Sequence, residues 1–102
     1  MQVTVFHNDI ETNELTAVAK VDVSDFVNHG AMEMLEYAYR YTNNIDGSWS
    51  KKIGTDANDD VTVLVEREDG LGLRSTMMRD RMELDGVMYE VSIMGFKELE
   101  AA

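Results

Sequence analysis

The sequence predicts an α+β domain in which one main helix packs on one face of a mostly antiparallel sheet of about five strands, in the order ββαβββ. Three observations lead there. Residues 15 to 23, LTAVAKVDV, alternate in side-chain type with the period of a half-buried strand. Residues 31 to 42 repeat apolar side chains at helical spacing. Asp85-Gly86 separates two alternating segments, the signature of a two-residue type I′ hairpin turn.

The elements follow in chain order. Residues 2 to 7, QVTVFH, and 15 to 23 are rich in β-branched residues, and the polar, turn-prone NDIETNE between them predicts an antiparallel hairpin with a long loop. Within the second segment Leu15, Ala17, Ala19, Val21 and Val23 fall on one face, and only Val18 breaks the pattern. A helix is predicted from about residue 29 to 42, with Ser24 and Asn28 as candidate N-caps. Ala31, Met34, Leu35, Ala38, Tyr41 and Thr42 form its apolar stripe, while Glu33, Glu36 and Arg40 face outward, the last two spaced for an i,i+4 pair. Asn43-Asn44 is expected to end it, since Asn tolerates the left-handed conformation common beyond a helix.

Residues 44 to 60 are a loop by composition, longer than most connections in compact domains and therefore either functional or partly mobile. DDVTVLVER reads as a strand with Val61, Val63 and Val65 on one face, and REDGLGL as the next break. RMEL and VMYEVSIM are the arms of the Asp85-Gly86 hairpin, with Val87, Tyr89, Val91 and Ile93 on one face. Gly95-Phe96 is expected to bend or end the last strand, with Phe96 capping the core.

A chain of 102 residues suits one domain spanning residues 1–102, burying about 60–70% of its unfolded surface. Twenty acidic residues against nine basic ones leave a formal charge of −11, a field that repels phosphate backbones and anionic membrane surfaces. Direct nucleic-acid binding and membrane binding are therefore not expected. The charge either maintains solubility or meets a basic partner, in one version by imitating a nucleic-acid backbone. No Cys occurs, which removes disulfides, thiolate nucleophiles and sulfur-ligated zinc. The start MQVTVFHND lacks a basic region followed by a long apolar run, and no segment approaches a membrane helix, so a soluble cytoplasmic protein is expected.

The stretch YAYRYTNNIDGSWS holds Tyr37, Tyr39, Tyr41 and Trp49, four of the eight aromatic residues. Tyr41 lies on the inward stripe and Tyr37 near its opposite edge, so at least one tyrosine is expected at the solvent. A stacking platform for single-stranded nucleic acid would need a basic groove, and only Arg40, Lys51 and Lys52 are near in sequence. Core and rim packing or a protein contact patch are the remaining roles. Trp49 in its long loop is the expected interface anchor, with Tyr37, Lys51 and Lys52 around it.

Other motifs carry less. Asp56, Asn58 and Asp60 begin like a calcium loop, but the sixth position is Val61 where Gly is required and the twelfth is Arg67 where a bidentate Glu is required. The run is read as a solvated turn, and no metal or cofactor is expected. His7 and His29 share no ligand or carboxylate spacing and are expected at the surface or its boundary. GSWS lacks the context of a nucleophile elbow, and GLG at 70 to 72 lacks that of a phosphate loop. Arg74, Arg79 and Arg81 form a basic island that either neutralises neighbouring acids such as Asp80 and Glu83 or offers a local anion or carboxylate contact through bidentate geometry. No catalytic constellation stands out, so the chain is expected not to be an enzyme.

RSTMMRDRMELDGVMYEV followed by GF resembles a pattern of small uncharacterised accessory proteins of actinobacterial phages and mobile elements, R-S-x-S-V-G-D-V-V-x-x-D-G-x-x-Y-x-V and then G-F. Arg74, Ser75, Asp80, Asp85, Gly86, Tyr89, Val91, Gly95 and Phe96 match, whereas Met77 and Arg79 stand where the pattern has Ser and Gly. An Arg at 79 puts in question any turn that relied on Gly there. The resemblance covers about a quarter of the chain, and the helix ending YRYTNN is similar more loosely. It implies origin and no activity: a small accessory protein of an infected bacterial cytoplasm that binds a host or phage protein. A DNA-mimic inhibitor of a basic nucleic-acid-binding protein, an enzyme or metal-dependent regulator using the carboxylates of residues 56 to 60 or the Arg74 to Arg81 island, and a structural homo-oligomer are the alternatives; salt-sensitive competition with DNA, a metal titration and solution size distinguish them.

Overall fold

The computed structural model describes residues 1–26 and 28–99. Val3, Val5 and His7 alternate with polar or half-buried neighbours along β1 (Gln2–Asn8) and all three point into the core. β2 (Leu15–Asp22) returns antiparallel beside it, as its alternation predicts. The misfit at Val18 has a structural cause. Val5 opposes Ala19 while Phe6 opposes Ala17, so Val18 is the extra residue of a β-bulge, and both Val18 and Ala19 are buried. Beyond the bulge the alternation is reversed. Ala17 and Leu15 stand opposite Phe6 and Asn8, away from the face of Val3 and Val5, which corrects the expectation that they share a face with Ala19, Val21 and Val23.

The helix α1 (Ala31–Arg40) is shorter than predicted and begins after Gly30, with no side-chain cap. Ser24 serves a different turn, where its N–H and hydroxyl both donate to the Asp22 carboxylate at 2.9 and 2.6 Å. Met34, Leu35 and Ala38 carry the predicted stripe into the core, and Thr42 continues it. The C-terminal end is closed by side chains and not by a left-handed residue: the Thr42 hydroxyl donates to the Ala38 carbonyl at 2.8 Å and the Asn43 amide donates to that of Tyr39. Arg40 passes over its i,i+4 neighbour Glu36 and pairs with Asp56, Nη1 to Oδ1 3.0 Å.

After β3 (Val61–Val63), the hairpin of β4 (Arg81–Leu84) and β5 (Val87–Ser92) forms at Asp85-Gly86, whose φ values of 51° and 81° are both positive as a type I′ turn requires. A second tight turn at Ile93-Met94 then leads into β6 (Gly95–Glu98), which pairs with β5. Gly95 therefore starts a strand where the sequence suggested only a bend. Among the described residues the sheet has six strands, all antiparallel, in the order β3-β2-β1-β4-β5-β6. Its two hairpin systems meet at the central pair β1–β4, and α1 lies over those two strands. The α+β class with one main helix on one face holds; the strand number and order are corrected to six and ββαββββ.

Arg79 occupies the turn at which the resembling pattern has Gly. The Asp80 N–H donates to the Met77 carbonyl at 3.1 Å and Arg79 sits third in the turn with φ 76°. That is the position and sign a type II turn demands, and glycine is its natural occupant. A left-handed non-glycine residue costs about 1–2 kcal/mol, partly offset by the smaller unfolded-state entropy of Arg. Arg79→Gly is accordingly expected to stabilise the fold by about 0.5–1 kcal/mol, read as a higher urea midpoint at unchanged m-value.

Candidate functional site

The loop from residue 44 to 60 is organised from within, and this decides the fate of Trp49. The carboxylate of the fully buried Asp56 accepts the backbone N–H groups of Ile45, Asp46 and Gly47 at 2.9, 2.9 and 2.7 Å, as well as Arg40. The Gly47 N–H is the first of the groups that hold this carboxyl at about 2; burial opposes it, and the other two N–H groups and Arg40 add to it. A Cβ on Gly47 would lie 2.2 Å from the Ile53 carbonyl oxygen, so the close crossing of the loop needs glycine there. Asn44 accepts the Trp49 N–H at 2.9 Å and donates to the Leu73 carbonyl at 3.0 Å. The loop so fixed turns Trp49 inward, where it is fully buried and its indole N–H donates to the Arg74 carbonyl at 2.9 Å. Trp49 is a core residue and cannot serve as the exposed anchor. The polar run at 56 to 60 is likewise not simply a solvated turn, because Asp56 is the loop's internal cap.

His7 also departs from expectation. It is 8% exposed, its Nε2 lies 3.0 Å from the Thr76 hydroxyl, and its ring meets Trp49 edge-on at 6.2 Å. The proton order follows from the partners. The Ala38 carbonyl can only accept, so Thr42 donates to it; Thr76 then donates to Thr42 at 2.8 Å; and Thr76 accepts from a protonated His7 Nε2. Burial lowers His7 to about 4, with the nearby Arg74 adding to the fall and Asp80, 3.9 Å away, resisting it. Thr76 and Asp80 both address the same ring nitrogen, and Thr76 is buried. This is not the relay in which a carboxylate orients one nitrogen while the other activates an exposed hydroxyl. Period two on β1 already placed His7 beside Val3 and Val5; its polarity argued the other way.

The predicted contact residues do not converge on one patch. Arg74 grips the buried Asp80 with both nitrogens, at 2.7 and 2.9 Å, as the neutralising reading of the basic island has it. Burial would raise the Asp80 carboxyl, but Arg74 and the N–H groups of Asn8 and Met77 together hold it below the usual carboxylate range. Arg81 lies beside Glu90 across the β4–β5 pair and not beside Glu83. Lys52 donates to the Val61 carbonyl at 2.9 Å, and Lys51 is exposed beside β3. The Tyr37 hydroxyl donates to Asp60 at 2.6 Å and accepts from Asn58 at 2.8 Å, while its ring packs on Phe26 and Tyr41. Tyr37, Tyr39 and Tyr41 are all half-buried, so they share the rim of the core. Among the described residues no group of His, Asp and Glu is placed to hold a metal ion, and no helix is long and apolar enough to cross a membrane.

Arg79 borders an exposed apolar surface. It lines a hollow of about 360 Å³ with Met78, Val91, Ile93 and Met94. Ile93 and Met94 form the β5–β6 turn and are 82% and 93% exposed, with Met78 at 49% beside them. A second hollow of about 270 Å³ shares Met78, Val91 and Ile93 and continues to Tyr39 and Phe96, whose rings meet edge-on at 6.0 Å. Sequence reading missed this patch because Ile-Met carries no turn chemistry and extends the strand pattern of VMYEVSIM. No protein-family model matches the chain, and no curated protein and no solved structure matches it.

Proposed function

We propose that this protein is a small acidic, non-enzymatic interaction module that docks a partner protein through the tip of the β5–β6 hairpin. One observation carries the reading: Ile93 and Met94 stand almost wholly in solvent at the tip of the β5–β6 hairpin, where the one left-handed backbone position is taken by Gly95 and nothing in the turn calls for apolar side chains. Their side chains contribute little to the fold, so burial against another protein is the stabilisation they can supply. Met78 and Met94 add the adaptable thioether surface common at docking sites. Glu36, Glu90 and Arg79 form the polar rim around this apolar centre. The resemblance of residues 74 to 96 to phage accessory proteins supports a host or phage protein as the partner and the infected bacterial cytoplasm as the place.

The test is capture of that partner by wild type and by the double variant Ile93→Asp, Met94→Asp. Central anchors are worth about 2 kcal/mol each, so either substitution is expected to weaken binding about 30-fold while leaving the fold intact. A partner retained with undiminished affinity by the double variant refutes the assignment of this surface. Solution size of the two proteins shows whether the patch instead joins copies of the chain.

A further inference from the structure

Strand β3 is one edge of the sheet, and its free side is only partly closed. Asp22 N–H donates to the Asp60 carbonyl and Leu64 N–H to that of Val18, each at 2.9 Å. Even-numbered residues thus turn their backbone groups toward β2, and antiparallel alternation turns those of Val61, Val63 and Val65 outward. At Val61 the outward groups are occupied, its N–H by the Asn58 carbonyl at 3.1 Å and its carbonyl by Lys52 at 2.9 Å. Val63 and Val65 have no such backbone partner among the described residues. The chain next turns, with Gly70 N–H on the Arg67 carbonyl at 3.1 Å, and comes back along residues 71 to 73. The two arms share no backbone hydrogen bond among the described residues. Between them lies a hollow of about 470 Å³, lined by Val63, Val65, Leu71 and Leu73 together with Ser50 and Lys51. The returning arm is held in place, because the Leu73 N–H donates to the Ser50 hydroxyl at 2.8 Å.

We propose that this slot accepts an extended segment of a partner protein, added as a further strand beside β3, with apolar residues at alternate positions and Lys or Arg between them. The free N–H and C=O groups at Val63 and Val65 supply the strand pairing, and the valine and leucine walls take the apolar side chains. Charge selects the rest. Glu66, Glu68 and Asp69 on the outgoing arm and Asp59 before β3 outnumber Arg67, Lys51 and Lys52, on a chain of net charge −11. The slot lies at the edge opposite β6, so it is distinct from the hairpin tip and extends the binding role to a second surface.

The probes are two synthetic octapeptides, one alternating Val with Lys and one alternating Val with Glu. The Lys peptide is expected to bind and to slow amide exchange at Val63 and Val65, and the Glu peptide to bind about tenfold or more weakly at low salt. Val63→Pro removes an outward N–H without touching the β2 ladder, so a folded variant is expected to lose Lys-peptide binding about tenfold or more. Should that variant not fold, Leu71→Lys, at an exposed position, is expected to weaken the Lys peptide to a similar degree. The Ile93→Asp, Met94→Asp variant is expected to keep peptide binding, so a failure at the hairpin tip and a failure at the slot are read apart. Equal binding of both peptides, binding of neither, or binding indifferent to Val63→Pro overturns the proposal. So does a dimer whose Val63 and Val65 amides are protected without peptide, since a second copy would then occupy the edge.

Discussion

Trp49→Ala is expected to lower the unfolding free energy by about 4 kcal/mol, the scale of a large aromatic removed from a packed core. The whole margin of a domain this size is about 5–15 kcal/mol, so the variant should be barely folded or unfolded at physiological temperature. Two contributions add. The indole fills the space between His7 on β1 and the returning chain at Arg74, and alanine leaves a cavity there. The Arg74 carbonyl also loses the donor that satisfied it. Trp49→Phe separates them, since it keeps much of the volume and loses the N–H; it is expected to cost about 2 kcal/mol. Urea unfolding followed by circular dichroism reads both, with a midpoint shift of about 2–4 M for the alanine variant. A fall of under about 1 kcal/mol in Trp49→Ala would mean that the side chain stands in solvent and that the loop does not close as described. At the expected loss of about 4 kcal/mol, a binding defect in this variant carries no information about contact, because unfolding alone produces it.

The contrast between Trp49 and Ile93 shows what a single sequence conveys and where it stops. Local chemistry was legible. The Asp85-Gly86 turn, the hairpin of β1 and β2 and the stripe of α1 each depend on residues within a few positions of one another, and all three form. What failed depends on partners distant along the chain. Trp49 is drawn inward by Asn44, Leu73, Arg74 and Asp56, and no periodicity connects a polar loop to those positions. The pairing of β1 with β4 joins residues nearly eighty positions apart, and it is this pairing that places His7 beside Thr76 and Asp80. Val18 was visible as an anomaly, and only the register opposite Val5 and Phe6 shows that it is a bulge. The candidate contact surface was the least legible part. An exposed apolar pair looks in sequence like two more residues of a buried strand, and the sixth strand beyond it lacked the turn residues that announce β4 and β5.

Lowering the pH from 7 to 5 is expected to cost the folded protein about 2 kcal/mol through His7 alone, rising to about 3 kcal/mol near pH 4. The sign follows from which state takes the proton. In the unfolded chain His7 protonates near its ordinary 6.5, whereas burial in the fold holds it neutral down to about 4. Between those values the unfolded state binds a proton that the folded state refuses, so stability rises with pH and is lost as pH falls through the window. The carboxylates held low by their partners, Asp22, Asp56, Asp69 and Asp80, act lower still. Their contribution is complete above about 4 and disappears only below it. The interval from 6.5 to 5 therefore isolates His7 among the groups whose protonation the fold shifts. His29 pairs with Glu33 in solvent, outside the core. The discriminating variant is His7→Gln, whose side-chain amide can donate to Thr76 as Nε2 does but cannot take up a proton in this range. Wild type should show a sloping stability between pH 7 and 5 and the variant a nearly flat one, measured by urea unfolding at each pH. Equal slopes in the two proteins would place His7 in solvent and dissolve the chain of hydroxyls through Thr76 and Thr42 that ties β1 to the end of α1.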